Sequence, residues 1–484
     1  MKGVPMNRRP STPLLSGLLL LAYAAASPAV TTSPSVSGCN AMPTVPSVPR
    51  DAITYKRTSA TDQYQDLQTA LMKLHPGDWL VLPPGTYPIS RHLSIERDGI
   101  TLYGNGATLQ STSPTDGAII VRSDKVSVYE LTMNQDSQGR QTTPWAGGIS
   151  VFDDRGGNKR RVDSAIIVGN TINNSAGTGI FLYKASRFTV AGNTIYRSLA
   201  DGIHATAGSM NGRIIRNTVR QTGDDMIAIV SYAGKSVAMI QPEHVSESTD
   251  ISLDRNIYVA ENNVSDQYWG RGISVVGGSD VTIENNTISK NPVAAAIYLL
   301  RETSYKTFGD HNILVRNNQI SENQTLPPTW VAPGVKTPVA RHGAIEVASQ
   351  TTSDEWNSGF ARNWLSVGGI EITGNTIRNA KFGGIRLGAN STVANTLSNV
   401  SVHDNDLSSV GDKVVATTFS GADRNTLSCA QNKMDGTIWK SNCDSNGNGA
   451  GKLTITVTGA SLSCRSDGSI ADSGPNPPTG ISVQ

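Results

Sequence analysis

The stretch "GDDMIAI" at residues 223–229 sets two carboxylates, Asp224 and Asp225, side by side at the mouth of an apolar run. A third acid, Asp201 in "ADGIH" at 200–204, precedes them by 23 and 24 residues. Like charges gathered around one sugar-sized ligand cannot all ionise cheaply, so at least one of the three is expected to keep its proton near neutral pH. Acid/base chemistry needs one protonated acid for a leaving group and one carboxylate for a water. Asp-Gly is also a common turn pair, and a solvated Asp in a loop requires no function. Three acids near backbone carbonyls would equally suit a hard cation such as calcium. What separates these readings is whether the fold brings Asp201 to the pair.

The rest of the sequence supplies a device for doing so. Gly169-Asn170-Thr171-Ile172, Gly192-Asn193-Thr194-Ile195 and Arg216-Asn217-Thr218-Val219 are spaced by 23 and 24 residues. Related stretches follow at Asn262-Asn263-Val264, Asn285-Asn286-Thr287-Ile288, Asn317-Asn318-Gln319-Ile320 and Gly374-Asn375-Thr376-Ile377. Such a period, with one Asn at a fixed place, is the mark of stacked coils that cannot bury their apolar faces singly. The asparagines are therefore expected to hydrogen-bond between turns as structural groups. Eight residues beyond each tetrad lies an apolar column: Gly179-Ile180, Gly202-Ile203 and Met226-Ile227, continued by Gly272-Ile273 and Ala296-Ile297. Short strands stacking in register form parallel sheets, with a rise of about 4.8 Å per coil. The expected fold is all-β, a single-stranded right-handed parallel β-helix over 51–440. A short N-terminal helix carrying Leu67, Ala70, Leu71 and Leu74 on one face, stopped by Pro76-Gly77, is expected to cap it.

Counting back two positions from the Ile column puts Thr178, Asp201, Asp225, Arg271 and Ala295 in one line. Carboxylates stacked along a parallel ladder are unfavourable unless a proton, a cation or a ligand offsets them. The intervals 227–273 and 297–345 are each close to two periods, which admits either an extra coil or a long loop.

Lys plus Arg number 41 and Asp plus Glu 39, a balance that argues against general nucleic-acid binding. Lys2, Arg8 and Arg9 precede "LLSGLLLLAYAAA", and Ala24-Ala25-Ala26 offers a cleavage site, so 1–26 reads as a signal peptide of a secreted protein, extracellular or periplasmic. The run is shorter than the roughly 20 residues of a bilayer span, and no membrane anchor is expected. "VSGC" at Cys39 faintly matches a lipoprotein site, but a Pro/Ser/Thr-rich stretch separates it from the apolar run. Residues 27–50 read as a linker and 441–484 as a tail. Cys39, Cys429, Cys443 and Cys464 form an even set suited to disulfides, with Cys429–Cys443 one candidate clasp. The protein is expected to be a monomer without cofactor or metal.

"ADGIH", "GDDMIAI" and "GRGISVVGGSDVTIENNTI" at 270–288 resemble the successive active-site blocks of the polygalacturonase-type glycoside hydrolases, which fold as pectin-lyase-like β-helices. That resemblance implies Asp224 as general acid, Asp201 and Asp225 as the pair that holds and deprotonates a water, and inversion at the anomeric carbon. The chain departs from the pattern in two places. Arg271 stands where the family has His between two glycines, with His204 and His244 as candidate replacements. No Arg-x-Lys block appears, although Arg301 and Lys306 lie near its expected place; since those cations grip a substrate carboxylate in the family, a galacturonate substrate is put in doubt.

The substrate-binding set expected from the sequence is Arg271, His204, Tyr298, Arg301, Lys306 and Trp269. Flat rings at Tyr268-Trp269, Tyr298, Trp330, Trp356, Phe360 and Trp364 are candidate sugar platforms, and Arg341-His342 and Glu346 are candidates for the same groove. "DSNGNGAGKLTI" lacks the acid a calcium loop needs at its twelfth position, Ile455, and reads as a turn-rich loop. Three functions remain in order: a hydrolase of a polysaccharide or oligosaccharide; a polysaccharide lyase or uronan epimerase with Arg271 as base; and a non-catalytic adhesin or sugar-binding β-helix.

Overall fold

The computed structural model describes residues 39–157, 160–232, 253–337, 340–354, 364–411 and 415–438, together with Cys464 and Ile470. The expected signal peptide, His244, Trp356, Phe360 and Cys443 lie outside the described residues. No helix among the described residues is long and apolar enough to cross a membrane.

The described chain winds into three sheets of 15, 11 and 13 strands. Strand pairing within them is parallel except for a terminal hairpin between Lys433–Met434 and Thr437–Ile438. The 11-stranded sheet carries the Ile column: Ile119, Ile149, Ile180, Ile203, Ile227, Ile273, Ile297, Ile345 and Ile385 pair one on the next. Each is fully buried in a core that runs the length of the coil. No single turn could bury such a face, so the stack is what makes the burial possible.

The asparagines are structural, as expected. Asn170, Asn193, Asn217, Asn262, Asn286, Asn318, Asn375 and Asn405 each donate through Nδ2 to the Oδ1 of the next Asn at 2.9–3.0 Å, the last to Asn432. The residue before each Asn takes the left-handed conformation, for example Gly169 at φ 69°, Gly192 at φ 63° and Arg216 at φ 53°. The tetrads therefore mark a corner at which the backbone turns left-handed and the buried amide ties one coil to the next.

The helix spans Tyr64–Lys73 and buries Leu67 and Leu71, with Leu74 just beyond its end, in the first part of the core. Within 27–50, the described residues from 39 onward are mostly exposed but touch the outer face of a sheet at a few points. Cys39 is buried and disulfide-bonded to Cys464, Arg213 donates to the carbonyl of Ala41 at 2.6 Å, and Asn40 donates to Glu261 at 2.7 Å. Pro and Ser/Thr richness forbids a core of its own, but the segment borrows the outer face of a sheet. Cys429 is also disulfide-bonded.

Both irregular intervals are insertions rather than extra coils. Ile227 pairs directly with Ile273, and Ile297 directly with Ile345.

Candidate active site

The ladder places the acids as the register requires. The N–H of Gly179 donates to the carbonyl of Asp201, that of Gly202 to Asp225, that of Met226 to Arg271 and that of Gly272 to Ala295. Asp201 therefore lies one coil from Asp225, and one carboxylate oxygen from each of Asp201, Asp224 and Asp225 falls within 4.8 Å of the others. They sit in the wall of a cavity of about 680 Å³ on the outer face of the 11-stranded sheet.

Each carboxylate has its own basic neighbour. His204 Nδ1 lies 2.8 Å from Asp201 Oδ2, and Arg140 Nη2 donates to Asp224 Oδ2 at 2.5 Å. Asp225 accepts from the backbone N–H of Arg271 at 2.6 Å and from Ser274 Oγ at 2.5 Å, with the Arg271 guanidinium 3.4 Å away. The spacing of the three acids would also admit a metal ion.

The field of the cluster divides the acids. Burial pushes Asp224 up, the charges of Asp201 and Asp225 push it further, and against the pull of Arg140 it reaches about 7. Its side chain keeps 22 % exposure and lines the cavity. Burial raises Asp201 too, yet the charge and hydrogen bond of His204, with Arg140 behind them, hold it below the ordinary carboxylate value. Of the two, Asp224 is the acid pushed toward keeping a proton near neutrality and Asp201 the one pushed toward losing it.

Gly270 makes the approach possible. At φ +75° it takes a left-handed conformation, and a Cβ there would lie 2.6 Å from Asp225 Oδ1 and from the backbone of the Asp pair.

Of the expected binding residues, Arg271, His204 and Trp269 line the cavity, the last 38 % exposed. Tyr298 stands behind Arg271, its ring 4.8 Å from the guanidinium, and packs edge-on against His342. Arg301 and Lys306 are corrections. Arg301 follows Ile297 and Leu299 on alternate positions of its strand and is 1 % exposed, its guanidinium donating to the carbonyl of Thr307 and to Thr303 Oγ1. Lys306 sits exposed in the turn after that strand, outside the cavity wall. Trp330 packs against Tyr268, and Trp364 against His311. His342 lines the cavity, 3.2 Å from Glu346, whereas Arg341 lies over Phe382.

Sequence reasoning missed Arg140, Glu302 and Tyr305. Glu302 is 3.5 Å from Arg271, and Tyr305, 52 % exposed, offers a ring to the opening. Arg140 comes from the loop before Pro144–Ala146, whose coil lies three strand pairings from that of Asp224, so the loop reaches along the stack to place it. No motif surrounds it.

A parallel β-helix with an acid-lined cavity on one sheet defines the class of protein. The chain belongs to the family described as the right handed beta helix region, whose model matches residues 93–299 and 244–427. No curated protein sequence matches it. Among solved structures it is similar to the catalytic domain of an alpha-1,3-glucanase of family GH87 in complex with nigerose, at 15 % identity and TM-score 0.54, over 82 % of this chain and 71 % of that one. It is also similar to the A-module of a mannuronan C-5 epimerase of Azotobacter vinelandii, at 15 % identity and TM-score 0.50, over 78 % of this chain and 95 % of that one. A family 28 exopolygalacturonase of Yersinia enterocolitica, at 14 % identity, covers 79 % of this chain and 77 % of its own with a TM-score of 0.42. At these identities the likeness is one of fold.

Proposed function

We propose that the protein is a carbohydrate-active enzyme that hydrolyses glycosidic bonds in a polysaccharide or large oligosaccharide. The observation that carries this reading is the convergence of three carboxylates from two neighbouring coils in the wall of one cavity. Asp224 keeps its proton up to about 7, while Asp201, within 4.8 Å, is held as a carboxylate. Asp224 gives its proton to the glycosidic oxygen. Asp201 and Asp225 hold a water, whose oxygen bonds to the anomeric carbon while its proton passes to Asp201. Trp269 and Tyr305 offer faces for sugar rings at the opening. A purely adhesive surface has no use for three acids whose charges must be neutralised one by one. The fold shared with an alpha-1,3-glucanase is in keeping with this reading. The apolar N-terminal run and the Cys39–Cys464 disulfide support an exported protein.

Two observations bear on stereochemistry. Both Asp225 oxygens accept short hydrogen bonds, which spreads its charge and suits it to holding water rather than attacking carbon, in favour of single displacement with inversion. A glycosyl-enzyme route with one of these carboxylates as nucleophile is the second reading, since the acids approach one another closely. The lyase or epimerase reading is weakened at its base. Burial alone would lower the Arg271 guanidinium, but Asp225, Tyr298 and Glu302 hold it above its ordinary value, so it has no proton-free form to offer.

The test is incubation with a panel of neutral and uronate-containing polysaccharides, with and without chelator, followed by product analysis. Saturated reducing ends released despite chelator support hydrolysis. Products with an ultraviolet-absorbing unsaturated end, or no product from any glycan, refute it.

A further inference from the structure

His204 is satisfied on one side of its ring only. It lies on strand Ile203–Thr206, with Phe181 and Ala228 as its register partners on the neighbouring coils. The Phe181 ring packs edge-on at 5.8 Å. Nδ1 faces Asp201, whereas Nε2, shielded from bulk water, has no protein partner. The residue is 9 % exposed and forms part of the cavity wall.

A carboxylate only accepts, so the hydrogen bond to Asp201 places a proton on Nδ1. What remains is the state of Nε2, a lone pair in the neutral ring or an N–H donor in the charged one. Burial favours the neutral ring, but Asp201 in the same coil, Asp254 from the 15-stranded sheet and Asp225 in the next coil overrule it and raise the imidazole. Burial drives Asp254 itself up to about 8, so near neutrality it is mostly uncharged, and the pull comes from Asp201 and Asp225. Phe181 and Ala228 add no charge. A buried charged donor without an acceptor costs more than the ~1–3 kcal/mol of a neutral one. An N–H left in that condition in a cavity wall is matched to an oxygen that arrives with the ligand.

We propose that His204 works as an imidazolium that fixes Asp201 as a carboxylate through Nδ1–H and presents Nε2–H to an oxygen of the bound sugar. The second half rests on the hydrolytic reading; the first does not. His204 is thus a positioning residue for Asp201 and a contact for substrate. By keeping the proton off Asp201, it leaves Asp224 as the acid of the cluster.

Nitrogen NMR of the imidazole in the intact, substrate-free protein tests the first half. Both ring nitrogens should be protonated at pH 7, and Asp201→Asn should return the ring to the neutral form at that pH. A single tautomer in the unaltered protein at pH 7 overturns the proposal. His204→Asn keeps a donor near the Nδ1 position and removes both the charge and Nε2. It should move the acid limb of kcat/KM up by about one pH unit and raise KM. A variant that loses kcat with that limb and KM unmoved assigns His204 a merely structural role and also overturns the proposal. If His204→Asn does not fold, the NMR of the unaltered protein still decides. If no glycan is cleaved, the hydrolytic reading and the sugar contact fall while the imidazolium result stands or falls separately.

Discussion

Replacing Asp224 by Asn removes the proposed proton donor while keeping its shape. Since Asp224 is held up to about 7, it carries its proton about half the time at neutral pH, and an amide imitates that protonated state. The ion pair with Arg140 is partly exposed, with side-chain exposures of 22 % and 43 %, so its loss costs no more than ~1 kcal/mol. The amide oxygen still offers Arg140 an acceptor. Thermal stability should therefore change little. Loss of a general acid lowers turnover by roughly 10²–10⁴-fold, and the loss should shrink on an aryl glycoside whose leaving group needs no proton. The assay is kcat on both substrate types beside a thermal melt at pH 7. Full activity on the natural linkage, or an equal loss on both substrates with an unchanged melt, would refute Asp224 as general acid.

Other consequences follow from the same geometry. Activity requires Asp224 protonated and Asp201 ionised, so kcat/KM should fall as pH rises through about 7 and should persist on the acid side below the ordinary Asp value, with the two limbs belonging to the cluster as a whole; a profile still rising at pH 9 contradicts this. Asn217→Leu breaks the side-chain donations to Val190 and Asn262 and orphans those from Asn193. It should lower unfolding free energy by about 2–4 kcal/mol in denaturant titration, with activity per folded molecule largely retained. Gly270→Ala forces a Cβ to within 2.6 Å of Asp225 Oδ1; a displacement on the order of 1 Å at a catalytic group costs about 100-fold, which steady-state kinetics would detect.

The register was legible because its period is physical. Each coil must repeat its Ile inward and its Asn at the corner, and once these columns are aligned Asp201 falls beside Asp225. Parity along a strand also carried information that the family resemblance obscured: Ile297 and Leu299 point into the core, and Arg301, two further on, shares their face. Insertions were harder to read, since an added loop of about one period has the length of a coil, and only the direct pairing of Ile227 with Ile273 separates the two. Arg140 was beyond reach for a different reason. It belongs to an irregular loop without periodicity, and it meets Asp224 across three coils of the stack.

The central claim, that coil winding gathers three acids around one glycosidic bond, is tested most directly by a crystal structure of Asp224→Asn with a bound oligosaccharide. The account predicts a glycosidic oxygen within hydrogen-bonding distance of the residue 224 amide, about 2.6–3.2 Å, and a water between Asp201 and Asp225 on the far side of the anomeric carbon. A sugar chain bound on another face, or a cation bridging the acids with no sugar at the cavity, would contradict it.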